Sequence, residues 1–92
     1  MTREEKIEKG IEKTLAVVQK MRSSNDISDT VRKVRITNSL SLEVNCVRYE
    51  NDGSPIIFQI YAVKNGKDID CETIEIYRDF KEPIRYLLNC YI

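Results

Sequence analysis

The 92-residue chain has no histidine and no tryptophan, only three glycines, two prolines and three cysteines, and no excess of either charge: 15 lysines and arginines stand against 15 aspartates and glutamates. Each shortage excludes something. Without histidine there is no imidazole general base, no Ser-His or Cys-His nucleophile pair and no imidazole metal ligand, which removes the commonest catalytic arrangements. Gly10, Gly53 and Gly66 are too scattered to cradle a phosphate, and neither the dinucleotide fingerprint nor the P-loop pattern occurs. An odd number of cysteines without short repeat spacing argues against a disulfide framework and a zinc site. The longest apolar runs, such as Leu15 to Val18 and Pro55 to Phe58, fall far short of the ~20 residues of a membrane span. Met1-Thr2-Arg3-Glu4-Glu5 does not read as a signal peptide. Zero formal charge removes the broad basic field of a nucleic-acid or anionic-membrane binder. A single cytoplasmic domain over 1–92 is expected, without cofactor, metal, catalytic residue or membrane association.

What is present reads as an α+β chain. Thr2 and Glu5 have capping-box spacing, and Ile7, Ile11, Leu15 and Val18 follow at helical intervals, with Val17 and Met21 widening the stripe. A helix is predicted over 3 to about 22, its outer face charged and bearing a Glu5/Lys9 pair in the favourable order. Ser23-Ser24-Asn25-Asp26 ends it, and a linker runs on through Ser28 and Asp29. From Thr30 the period becomes two. Val34 and Ile36 mark a first strand, and Asn38-Ser39 a bend. Leu40, Leu42, Val44 and Cys46 mark a second strand, 56–64 a third, and 67 to about 77 a fourth. Asn65-Gly66 is the signal for a type I′ hairpin. Asp79 and Glu82 cap a final helix with Phe80, Ile84, Leu87, Leu88 and Tyr91 on its apolar stripe. The order α-β-β-β-β-α predicts a four-stranded antiparallel meander with two helices packed on one face.

Apolar stripes also suggest a register. A three-residue loop after Glu50, with Gly53 left-handed, sets Cys46 opposite Phe58, Val44 opposite Ile60, Leu42 opposite Ala62 and Val47 opposite Ile57. Across Asn65-Gly66, Ile69 would face Ala62 and Cys71 would face Ile60, which places Cys46 and Cys71 on the core face, two strands apart and unbonded. Ile74 and Ile76 are out of phase with Ile69, so a bulge is expected near Glu72-Thr73, or a strand end buried on both faces.

The candidate contact residues follow from that register. On the uncovered sheet face, Val47, Tyr49, Ile57, Tyr61 and Val63 form an apolar and aromatic patch where water alone would select polar residues. Arg32, Lys33 and Arg35 make one edge strand basic. Asp68, Asp70 and Glu72, two apart and so on one strand face, make the other edge acidic. The expected function is stoichiometric binding to a protein partner. In size, composition and lack of catalytic motifs the chain resembles in style the small phage or mobile-element proteins that inhibit host defence, anti-CRISPR proteins among them; this implies a viral inhibitor. The alternatives are an RNA or nucleotide binder using sheet tyrosines and the strand-one cations, less favoured at zero net charge, and a homo-oligomeric scaffold or small-ligand sponge.

Overall fold

The capping box forms as its spacing predicts. A computed structural model describes residues 1–23, 31–51 and 54–92. In it the Glu5 amide donates to Thr2 Oγ1 at 3.2 Å and the Thr2 amide donates to Glu5 Oε1 at 3.3 Å. This opens helix α1, Arg3–Ser23. Ile7, Ile11 and Val18 are buried, and Leu15, Val17 and Met21 pack against the core margin. Gly10 and Thr14 are buried beside them, and Thr14 satisfies its hydroxyl by donating to the Gly10 carbonyl at 2.8 Å. Ser24-Asn25-Asp26, the linker through Ser28 and Asp29, and the conformation of Gly53 lie outside the described residues.

Strands β1 (Arg32–Arg35), β2 (Leu40–Tyr49), β3 (Pro55–Lys64) and β4 (Lys67–Glu75) make one antiparallel sheet of order β1-β2-β3-β4, and helix α2 (Lys81–Tyr91) closes the chain. Between β1 and β2, Thr37 Oγ1 accepts the amides of Ser39 at 3.3 Å and Leu40 at 3.0 Å, which holds the bend. Asn65 and Gly66 both have positive φ, 52° and 80°, as a type I′ turn requires. Leu42 faces Ala62, Val44 faces Ile60 and Cys46 faces Phe58, as the stripes predict. Both helices lie on one face of the sheet. α1 packs on β1 and β2, α2 packs on β3 and β4, and the helices meet each other. Ile84, Leu87 and Leu88 are fully buried in one core cluster with Leu42, Phe58 and Ile60. Glu8 bonds Arg85 across the two helices at 2.6 Å; this, and not Glu5/Lys9, is the ion pair among the described residues.

Two registers depart from expectation. Past Cys46 the β2–β3 ladder shifts, so that Arg48 and not Val47 opposes Ile57, before Tyr49 pairs with Pro55. Val47 is the extra residue and stands 45% exposed. The β3–β4 bulge lies near the hairpin, at Ile69, and not at Glu72-Thr73: Val63 opposes Asp68, while Ala62 already opposes Asp70. Cys71 therefore faces Tyr61 on the uncovered face and not Ile60 on the core face. The bulge resolves the phase conflict in favour of the deeper site. Ile74 is buried to 3% opposite Phe58, where Phe80 also packs, and Ile69 is given up at 40% exposure. α2 likewise begins one residue late. Phe80, buried edge-on against Phe58 at 5.4 Å, takes the N-cap position, and Asp79 accepts the Lys81 amide at 3.0 Å from one position further out.

Candidate interaction surface

The register assembles the uncovered face row by row. Arg35, Ser41, Val63 and Asp68 form one row; Lys33, Glu43, Tyr61 and Cys71 the next; then Asn45, Gln59 and Thr73; then Arg48, Ile57 and Glu75. Tyr61 sits at the centre, half-buried. Its hydroxyl donates to Gln59 Oε1 at 2.7 Å, and Gln59 Nε2 donates to Thr73 Oγ1 at 3.4 Å. Partial burial first, then the adjacent Cys71, pushes the Tyr61 hydroxyl above its ordinary range. Burial likewise raises the Cys71 thiol, against the Tyr61 hydrogen bond that lowers it. At neutral pH Cys71 is a protonated thiol and a poor nucleophile. Asn45 Oδ1 is buried in this face without a hydrogen-bond partner among the described residues, an arrangement that costs about 1–3 kcal/mol.

The apolar patch is narrower than the sequence suggests. Tyr49, carried past the β2 irregularity, packs against the core cluster instead of joining the uncovered face. Val63 is only 7% exposed, enclosed by its neighbours in the sheet. Val47, Ile57 and Tyr61 keep accessible surface. Ile57 and Ile74 line a groove of about 570 Å³ that Glu75, Arg78, Asp79, Glu82 and Pro83 complete. Three carboxylates there face one guanidinium. No match is found among known protein families, characterised proteins or solved structures. The surface therefore has to be read from its own chemistry.

The acidic edge also divides. Asp68 opposes Val63 and remains exposed on the uncovered face, whereas Asp70 and Glu72, beyond the bulge, oppose Ala62 and Ile60 in core-facing register. Asp70 is a structural acceptor there: its Oδ1 takes the Cys71 amide at 2.8 Å and its Oδ2 takes the Tyr91 hydroxyl at 2.8 Å, tying α2 to the sheet edge. The expected set Asp68, Asp70 and Glu72 is thus not one acidic face. On β1, Lys33 and Arg35 fall in the rows of the uncovered face, while Arg32 opposes the core residue Val44; all three are exposed. Sequence reasoning missed Arg78, Asp79, Glu82 and Pro83 as surface residues. Asp79 and Glu82 carried a capping signal only, and their meeting with Ile57 requires β3 and β4 to be paired.

Proposed function

We propose that this chain is a small non-catalytic interaction protein that binds a protein partner stoichiometrically through the uncovered sheet face and the groove at its Ile57 end. The observation that carries the reading is Ile57 with Ile74 in a groove bordered by Glu75, Asp79 and Glu82. An apolar floor with an acidic rim suits an apolar anchor side chain flanked by a lysine or arginine of the partner. Size and composition further suggest an inhibitor of host defence of the anti-CRISPR style.

The test separates binding from folding. Tagged protein captures its partner from the native host, and the captured species is identified by mass spectrometry and rebound in purified form. Ile57→Lys and Tyr61→Ser should each weaken that binding by about thirtyfold or more, the effect of losing a central anchor, with melting temperatures nearly unchanged. Severe destabilisation by Ile57→Lys would show that the chain itself needs this face covered, and would end the proposal. A captured second copy, seen as a sedimenting dimer that Ile57→Lys dissociates, would replace the foreign partner by self-association.

A further inference from the structure

Away from that groove α1 and β1 border a small cleft of about 40 Å³, lined by Lys6, Lys9, Lys13 and Arg35 around Gly10, Ile36 and Met1. No carboxylate lines it among the described residues. Among the described residues none of the four cations is in an ion pair; the pair found there joins Arg85 to Glu8. Net neutrality of the chain conceals this concentration of charge. Helical spacing puts Lys6, Lys9 and Lys13 on one stripe of α1, and a close approach of α1 to its neighbours lets Arg35, on the edge strand, line the same cleft. Gly10 permits the approach: a Cβ there would meet Leu88 Cδ1 at 2.8 Å and Ile36 Cδ1 at 3.2 Å. Glycine in a helix interior weakens the helix, so the close contact is kept against local preference. Arg35 is held as well, donating from Nη2 to Asn38 Oδ1 at 3.2 Å.

We propose that this cleft is a binding site for a phosphate group. Four cationic residues line the cleft and no carboxylate does among the described residues, so an anion seated there is attracted by all four. The volume is roughly that of three water positions on the same measure, enough for one tetrahedral oxyanion entering from solvent. A guanidinium fork and three ammonium groups supply more donors than the two oxygens of a carboxylate can accept, and they match a phosphate with its several acceptors and higher charge. The cleft shares no residue with the Ile57 groove, and because Arg35 also stands in the first row of the uncovered face, Lys9→Gln alone is the variant that tests the cleft without touching that face.

The experiment uses isotope-labelled full-length protein and follows the Gly10 and Ile36 amides by NMR at low ionic strength while inorganic phosphate is added. Saturable shifts confined to these and neighbouring amides are expected. Lys9→Gln with Arg35→Gln should weaken binding at least tenfold, while the melting temperature measured without phosphate stays level or rises as like charges are removed. Two further titrations separate the sources of the group. An octathymidylate that binds more than tenfold tighter than inorganic phosphate assigns the cleft to a nucleic-acid strand, and equal affinity assigns it to free phosphate or a mononucleotide. The proposal is overturned if phosphate produces no saturation, if chloride at matched ionic strength produces the same shifts, or if the double variant binds as the parent does.

Discussion

Phe58 occupies the centre of the sheet with no exposed surface, and its ring meets Phe80 edge-on. Phe58→Ala should cost about 3–5 kcal/mol, the usual loss for a fully enclosed aromatic, read from the urea unfolding midpoint. A cost below 1 kcal/mol would contradict the core. Tyr91 gives a residue-scale prediction with a defined pH window. Its hydrogen bond to Asp70, then partial burial, pushes its hydroxyl from an ordinary value of 10.0 to about 12. A folded-state value above the unfolded one means that the contribution is complete below pH 10 and is lost as the pH climbs towards 12. The melting temperature should fall across that interval, and less steeply in Tyr91→Phe. Tyr61, Tyr77 and Tyr86 are raised too, so the slope in the variant should shrink without vanishing. Neither the Tyr91 anchor nor the role of Asp70 was legible in the sequence, because the two meet only when α2 lies along β4.

Among the elements, α1 illustrates local preference yielding to packing. Gly10→Ala gains about 1 kcal/mol of helix propensity but drives a methyl group into fully buried Leu88 and half-buried Ile36. Overpacking of this kind costs about 1–3 kcal/mol, so a net destabilisation of about 1 kcal/mol is expected in thermal unfolding. The hairpin turn behaves in the opposite way. At Gly66, φ is +80° and a Cβ would meet nothing within 4 Å, so Gly66→Ala should lose about 1–2 kcal/mol through backbone strain alone, leaving the strand amides protected in hydrogen exchange. The Asn-Gly signal announced that turn from two adjacent residues. The Ile69 bulge had no comparable signal: the sequence shows two stripes out of phase, and their conflict can be resolved at any position between them.

For the whole molecule, the relevant electrostatic quantity is the placement of charge and not its sum. The acidic rim of the Ile57 groove should accelerate encounter with a cationic partner surface. Glu75→Lys with Glu82→Lys should slow association about tenfold at low salt and flatten its salt dependence, with dissociation of the formed complex changing less; stopped-flow mixing measures both. Unchanged association would mean that the rim does not face the partner. The same neutral total led the sequence reading to disfavour phosphate-bearing ligands. Lys9 and Lys13 looked there like part of a solvated helix face, and nothing in the chain order brings them to the same cleft as Arg35.

The sequence by itself determined the element order, the start of the first helix, the Asn65-Gly66 turn and the Leu42, Val44 and Cys46 register, because caps, turn residues and apolar periods act over a few residues of chain. Tertiary structure decided which of two conflicting stripes β4 buries, and with it that Asp70 became an anchor and Cys71 a neighbour of Tyr61. It also decided that Val63 and Tyr49 leave the exposed patch while Arg78, Asp79 and Glu82 join Ile57. The physical reason for the choice of stripe is burial. Seating Ile74 under Phe58 and Phe80 removes more apolar surface from water than seating Ile69 at the hairpin end, and that comparison exists only once distant segments share one core.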